Sequence, residues 1–317
     1  MKGMTAFCLT LCLGTPLLAN AAEPDSCKLV SFSDVGWSDI TMTTATTRIV
    51  LGALGYVTKT KRLSVPDTYK ELGAGKIDVF LGSWMPAQQA ELQPYLDNKS
   101  IDSLGPNLEG AKYTLAVTAP AYEAGVRNFA DLAKHAVELE GKLYGIEPGN
   151  DGNKMLQGMI DTNNFGLGQF TLVESSEQDM LAHVLRAQHL NKWIAFLGWA
   201  PHPMNTRVKM HYLAGGDALF GPDYGGATVY TTVRAGYARE CGNVGRFLDN
   251  LVFSIDMENQ LMDAVLTGQV NRRQAAKTWL KANPQVLDGW LSGVTSRDGK
   301  PALAQVKAKL GLLPPTP

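Results

Sequence analysis

The chain of 317 residues is 45% apolar and 19% charged, and its formal charge at pH 7 is −1. A chain of this length and apolar content can bury one large hydrophobic core or two medium ones, which excludes a disordered protein. Binding a run of phosphates requires concentrated positive charge, and the sequence has no cluster of lysine and arginine. We therefore expect no nucleic-acid partner.

The chain begins with the pattern of an export signal. Lys2 supplies a positive charge, residues 4–18 are apolar, and Ala19-Asn20-Ala21 is a small-x-small cleavage site. No later stretch reaches the roughly 18 apolar residues of a membrane span. We expect residues 1–21 to be a cleaved signal peptide, and the mature protein to be soluble and periplasmic.

Two cysteines remain after the signal, Cys27 and Cys241. In an oxidising compartment two cysteines most simply form one disulfide, and two unpaired buried thiols are the alternative. A disulfide would bring the two ends of the mature chain into one domain. The residues before Cys27 are polar, so a lipid anchor at this cysteine is not expected.

The predicted elements alternate between strands and helices along the chain. Apolar runs bounded by turn residues predict strands, and segments with helical periodicity and glycine stops predict helices. The predicted strands are residues 27–35, 56–65, 76–82, 112–118, 142–148 and 191–199. The predicted helices are residues 39–54, 67–75, 129–141, 149–163, 176–189, 257–268 and 272–284. This alternation predicts parallel sheets with helices on both faces.

The cysteine pair also determines the predicted domain layout. If Cys241 returns to the domain of Cys27, the chain crosses to a second domain near residue 112 and comes back near residue 229. Lobe 1 would then contain residues 22–112 and 230–317, and lobe 2 residues 113–229. Two crossings form a hinge, so we expect a cleft that can close over a small ligand.

Three tryptophans occur in similar settings, each just past an apolar run. SFSDVGW ends at Trp37, IDVFLGSW at Trp84 and WIAFLGW at Trp199. The carboxyl ends of strands in an open α/β sheet face the ligand crevice, so we expect the three indoles to lie on loops that converge on one pocket. Aromatic faces attract cations, and the methyl groups of a quaternary ammonium pack well on flat rings. The pattern therefore predicts a cationic ligand.

Five phrases of the sequence resemble a known family. DVGWSDI, KIDVFLGSWMP, KYTLAV, GIEPGNDGN and LGWAPHPMN occur in family order over essentially the whole mature chain. They are similar to the periplasmic substrate-binding proteins of ABC importers for quaternary amines, especially the choline-binding branch. The resemblance implies an α/β, two-lobed type II periplasmic binding protein with two interdomain crossovers. Its partners would be the ligand and the membrane subunits of an ABC importer, and we expect a monomer without cofactor or metal.

The resemblance also implies the residues of a ligand site between the lobes. An aromatic box would surround the trimethylammonium group of the ligand and would consist of Trp37, Trp84, Tyr113 and Trp199. Asp39 would face the ammonium or the alcohol, and Asn150 would hydrogen-bond the hydroxyl of the ligand. Asp39 could also serve as a helix cap and Asn150 as a turn residue. Cys27 and Cys241 match the disulfide positions of the choline-binding branch.

The choice of ligand is between choline and its zwitterionic relatives. Choline is a net cation, whereas glycine betaine and carnitine carry a carboxylate, which Asp39 would repel and which normally requires Arg, His or backbone N–H donors. No arginine lies in the phrases that would form the site. We expect choline, and His202 is the nearby basic residue that keeps glycine betaine and carnitine as alternatives.

An enzyme on a two-lobed α/β fold is a more distant alternative. The sequence has no HExxH motif, nucleophile elbow, P-loop or paired-cysteine metal motif. The separations between the five histidines do not match those of metal-binding motifs. The histidines are His135, His183, His189, His202 and His211. We therefore predict a binding protein and not an enzyme.

Overall fold

The structure is a computed structural model that describes residues 23–268 and 270–313. The predicted signal peptide, residues 1–21, lies outside the described residues. Within the described ranges, no helix combines the length and the apolar character that a membrane crossing requires.

In the described part of the chain, nine strands form one mixed sheet. The strands are β1 (Leu29–Asp34), β2 (Val57–Arg62), β3 (Val79–Met85), β4 (Ile101–Thr118), β5 (Lys142–Tyr144), β6 (Thr171–Val173), β7 (Ala195–Ala200), β8 (Met210–Tyr212) and β9 (Gly226–Arg234). Their order in the sheet is β2-β1-β3-β9-β4-β7-β5-β6, and β8 pairs with β4 outside this order.

The same residues form sixteen α-helical segments, several of which are single turns. They are α1 (Ser38–Ala53), α2 (Val65–Gly73), α3 (Gln89–Asp97), α4 (Ala119–Glu123), α5 (Phe129–Leu132), α6 (Asp151–Asp161), α7 (Glu177–His189), α8 (Met204–Arg207), α9 (Asp217–Phe220), α10 (Pro222–Gly225), α11 (Tyr237–Glu240), α12 (Gly242–Asp249), α13 (Ile255–Gly268), α14 (Arg272–Ala282), α15 (Val286–Trp290) and α16 (Ala302–Leu310). Short 3₁₀ turns occupy Asp25–Lys28, Ala133–His135 and Asn164–Gly166.

The sheet has two halves, which we call the first and the second lobe. In the first lobe β1 pairs in parallel with β2 and β3, and in the second lobe β5 pairs in parallel with β6 and β7. The long strand β4 and the returning strand β9 join the halves. Lys112 of β4 is opposite both Gly226 of β9 and Ala200 of β7, so the sheet passes from one lobe to the other at this point. The predicted two-lobed α/β fold with two crossings is confirmed.

The expected parallel pairing holds within each lobe but not for the strands that join the lobes. Strand β9 pairs antiparallel with β3 and β4, and β4 also pairs antiparallel with β7 and β8. The cause is the two crossings: β4 and β9 run between the lobes in opposite directions. For the same reason residues 112–118 do not begin a new segment but form the last part of an 18-residue strand.

The predicted helix at residues 129–141 is also mostly absent. A capping box between Asn128 and Asp131 starts α5, but this helix ends at Leu132 and continues only as a 3₁₀ turn. Val137 is 88% exposed. The apolar residues of this segment therefore do not share one buried face, and packing does not extend the helix.

Cys27 and Cys241 form a disulfide with an S–S distance of 1.95 Å, and both residues are fully buried. The bond joins the 3₁₀ turn before β1 to the end of α11 and spans a sequence separation of 214 residues. The disulfide predicted from the cysteine count is therefore present, and the alternative of two unpaired thiols is not observed in the described structure.

Replacing both cysteines by alanine should lower the free energy of unfolding by roughly 4 to 5 kcal/mol, because an open chain of this length gains much conformational entropy on unfolding. Guanidinium denaturation of the two proteins measures the difference. Reductant should move the wild-type midpoint toward that of the Cys27→Ala/Cys241→Ala variant and leave the variant unchanged. Equal unfolding free energies would contradict this account.

Candidate functional site

A small cavity of about 280 Å³ lies between the two lobes. Four aromatic, two acidic and one aliphatic side chain line it: Trp37, Trp84, Tyr113, Trp199, Asp39, Asp151 and Ile146. Each of them is at most 8% exposed. The side chains that line the cavity are therefore almost entirely shielded from solvent.

Strand pairing places three of the aromatic rings. Trp199 of β7 is directly opposite Tyr113 of β4, and neighbouring residues of this kind lie on the same face of a sheet. Trp84 of β3 contacts Tyr113 edge-on, with the ring centroids 6.2 Å apart. The expectation that all three tryptophans lie on loops is wrong for Trp84 and Trp199. Because the flanking strands β9 and β4 extend to them, both tryptophans lie inside strands, one residue before the strand ends.

Trp37 is the one tryptophan of the three that lies in a turn, between β1 and α1. The turn is tight because the Asp34 carboxylate accepts hydrogen bonds from the Gly36 N–H and the Thr41 hydroxyl, both at 2.8 Å. Gly36 has φ +96°, and a Cβ at this position would lie 1.6 Å from the Arg62 guanidinium carbon. The positive φ favours glycine, whereas the flexible Arg62 side chain could move aside, and the turn then directs the chain into α1.

Asn150 supports the site from behind Tyr113. The Tyr113 hydroxyl donates to Asn150 Oδ1 at 2.9 Å, and the same oxygen caps α6 by accepting from the Asn153 N–H at 3.1 Å. A Cβ at Gly152 would lie 1.9 Å from the Tyr113 hydroxyl, so glycine allows this close approach. Of the six predicted ligand residues, Asn150 is the one that does not line the cavity as the structure describes it. Its Nδ2 is nevertheless buried and has no described partner.

Several buried polar atoms around the cavity have no hydrogen-bond partner among the described residues. They are Asp39 Oδ1, both carboxylate oxygens of Asp151, Trp84 Nε1 and Asn150 Nδ2. An unsatisfied buried polar group costs about 1 to 3 kcal/mol, and a charged group costs more. A ligand that brings a positive charge and a hydrogen-bonding group would remove this cost.

The two carboxyl groups in the cavity have raised pKa values. Burial, followed by the nearby charge of Glu177, raises the pKa of Asp39 to about 8. Burial raises the pKa of Asp151 to about 7. Burial and the charge of Asp39 also raise the pKa of Glu258. A cation inside the cavity would stabilise the ionised carboxylates and lower these pKa values again.

Glu177, the first residue of α7 in the second lobe, connects the two walls of the cavity. Its carboxylate accepts from the Ser38 N–H at 2.9 Å and from the Ser38 hydroxyl at 2.6 Å, next to Trp37 in the first lobe. The same carboxylate lies 3.2 Å from His202 Nε2. The His202 ring packs edge-on against Trp199, at 5.1 Å between centroids.

His202 therefore has a supporting position. Its Nδ1 accepts from the Met204 N–H at 2.9 Å, so the proton is on Nε2, which donates to Glu177. The side chain is 2% exposed and is not part of the described cavity wall. His202 was the one basic residue that the sequence suggested for binding a ligand carboxylate. Its position outside the cavity wall does not suit that role.

Other polar contacts join the lobes around the cavity. The Trp37 indole N–H donates to Glu147 of the second lobe at 3.1 Å. Lys154 of α6 forms a 2.6 Å ion pair with Glu91 of α3. A further ion pair links α8 and α13 through Arg207 and Asp263. The described arrangement is thus a closed one, with cavity walls from both lobes held together.

Sequence reasoning missed Ile146 and Asp151 in the cavity wall. Both belong to the phrase GIEPGNDGN, which contributed only Asn150 to the prediction. Asp151 is the first residue of α6, after the strand β5. The rule that ligands lie at the carboxyl ends of strands could have selected it.

Most of the chain matches known proteins. Residues 28–282 match the family model OpuAC, the substrate-binding domain of ABC-type glycine betaine transport systems. A solved ABC-transporter choline-binding protein in complex with choline is 55% identical, with a TM-score of 0.90, and the match covers 91% of this chain and 100% of that chain. The ABC-transporter choline-binding protein in an unliganded semi-closed conformation has the same identity and coverage and a TM-score of 0.84.

A more distant relative has a different ligand. Lactococcal OpuAC, solved in its closed-liganded conformation with glycine betaine, is 26% identical with a TM-score of 0.75, over 83% of this chain and 99% of that chain. The family predicted from the five phrases is confirmed, because the family model spans most of the sequence. The chain belongs to the OpuAC family of substrate-binding domains of ABC-type glycine betaine transport systems.

Proposed function

We propose that the protein captures choline in the aromatic cavity and delivers it to the membrane subunits of an ABC importer. The observation that carries this proposal is the composition of the cavity wall, with four aromatic rings, two buried carboxyl groups and no basic side chain among the described lining residues. The 55% identity to a protein solved in complex with choline supports the same ligand.

The interactions in such a site can supply the binding free energy of micromolar affinity. Each cation–π contact contributes roughly 0.5 to 2 kcal/mol, so four rings supply several kcal/mol of the about 8 kcal/mol that micromolar affinity requires. A carboxylate about 4 Å from the ammonium adds about 4 kcal/mol at an effective dielectric constant of 20. Dehydrating the ammonium and the carboxylate offsets part of this gain.

The hydroxyl of choline also has candidate partners. Asn150 Oδ1 is occupied by Tyr113 and by the helix cap, so its free Nδ2 is the donor available to a ligand oxygen. Asp39 Oδ1 is an available acceptor for the hydroxyl proton. We propose that Asn150 and Asp39 bind the hydroxyl, while the trimethylammonium group packs among Trp37, Trp84, Tyr113 and Trp199 as the aromatic box.

Glycine betaine and carnitine are the alternative ligands within the same transporter class. Lactococcal OpuAC was solved with glycine betaine, and the family is described by that ligand. Both alternatives carry a carboxylate, which Asp39 and Asp151 would repel. His202, the nearest basic candidate, is bonded to Glu177 instead. Choline is therefore the better fit.

The remaining features of the protein follow the family. We propose that lobe 1 contains residues 22–112 and 230–317 and lobe 2 residues 113–229, because Lys112 is paired with both flanking strands. We also propose a periplasmic monomer that is exported by a signal peptide of residues 1–21. Binding without catalysis is expected, so incubation with choline should yield no product.

Titration calorimetry of the purified protein should show choline binding with micromolar or tighter affinity. Glycine betaine should bind much more weakly, because two buried carboxylates repel its carboxylate. Carnitine should behave like glycine betaine. A stronger response to glycine betaine than to choline would refute the proposed ligand.

Replacing Trp84 or Trp199 by alanine should weaken choline binding at least about tenfold, since each change removes a cation–π contact and apolar burial. Trp279→Ala is the matched control. This tryptophan lies on α14 and donates to Gln260, away from the cavity. Calorimetry should give wild-type affinity for the control. Wild-type affinity of Trp84→Ala or Trp199→Ala would remove that ring from the site.

The choline affinity should rise with pH. The pKa values of Asp39 and Asp151 are about 8 and about 7, so raising the pH ionises both groups before the cation arrives. Below these values the affinity should change by up to about tenfold per pH unit for each carboxyl that must ionise. Calorimetry from about pH 6 to about pH 9 measures the slope, and Asp39→Asn should reduce it. A flat profile would contradict the account.

A further inference from the structure

Asp151 is a second acidic residue in the cavity, and it enters from the other lobe than Asp39. The two residues are 3% and 1% exposed. Neither carboxylate oxygen of Asp151 accepts a hydrogen bond from another residue in the described structure. Burying a carboxyl group without a partner costs free energy, and its place in the first turn of a helix offsets only up to about 2 kcal/mol of that cost.

Both acids occupy the first turn of a helix that begins at the cavity. Asp39 is the second residue of the 16-residue helix α1, and Asp151 is the first residue of the 11-residue helix α6. The N-terminus of a helix carries about half a positive charge and free N–H groups, and it favours anions. Without the two aspartates, the cavity would present two positive helix ends, which suit the carboxylate of a zwitterionic ligand.

Capping does not explain Asp151. The cap of α6 is Asn150, whose Oδ1 accepts from the Asn153 N–H. Lys154, the basic residue whose charge acts on Asp151, is paired with Glu91 at 2.6 Å. Glu91 and Glu147 add further negative charge around Asp151 and help to raise its pKa. No cation of the described structure forms an ion pair with the Asp151 carboxylate, although the charge of Lys154 partly offsets the rise in its pKa.

We propose that Asp151 is a specificity-determining residue, which together with Asp39 makes two anion-favouring helix ends selective for a cation and excludes ligands that carry a carboxylate. This inference rests on the proposed function, because it concerns the ligand preference of the same cavity. Asp39 and Asp151 lie in different lobes, so the ligand meets negative charge from both walls as they close.

The test is the isosteric variant Asp151→Asn, titrated with choline and with glycine betaine at about pH 9, where both cavity carboxyls of the wild type are ionised. Choline should bind about tenfold more weakly, because the variant loses one negative charge that attracts its ammonium group. Glycine betaine should bind more tightly, because the same change removes a charge that repels its carboxylate. The preference for choline should fall by more than tenfold.

Asp161→Asn, at the exposed far end of the same helix, is the matched control and should keep the wild-type preference. Asp151→Ser provides a second neutral variant if the asparagine does not fold. A preference that stays unchanged, or an equal loss of affinity for both ligands, would overturn the role of Asp151. Failure of the wild type to bind choline would instead overturn the proposed function.

Discussion

The site depends on one unfavourable arrangement, in which two carboxyl groups are buried among four aromatic rings without a cation from the protein. Burial raises the pKa values of Asp39 and Asp151, and several of their oxygens lack partners. A quaternary ammonium supplies the missing charge and packs its methyl groups on the rings. The free energy lost by burying the acids is thereby recovered when the ligand binds.

Closure of the lobes creates this environment, because the walls come from both halves of the sheet. Glu177 contacts Ser38 beside Trp37 and also holds His202 behind Trp199. One carboxylate thus orients an indole of each lobe. The crossing strands β4 and β9 join the two lobes, and the disulfide Cys27–Cys241 ties the start of the first lobe to its returning segment.

The sequence predicted the features that have a local signature. The apolar runs before Trp84 and Trp199 indicated strands, the family phrases gave the two-lobed fold, and five of the six proposed ligand residues do line one cavity. Strand direction could not be predicted, since it depends on which strands become neighbours after the crossings. Asp151 had a local signal, since it follows Asn150 in the same phrase after a strand, but the role of Glu177 depends on contacts between distant segments, which periodicity does not encode.

A crystal structure of the protein with choline would show whether the ligand lies in the aromatic cavity. We expect the trimethylammonium group among the rings of Trp37, Trp84, Tyr113 and Trp199, with the Asp39 carboxylate about 4 Å from the charge. The hydroxyl should contact Asn150. Choline bound outside this cavity, or bound with its ammonium remote from both carboxylates, would contradict the account.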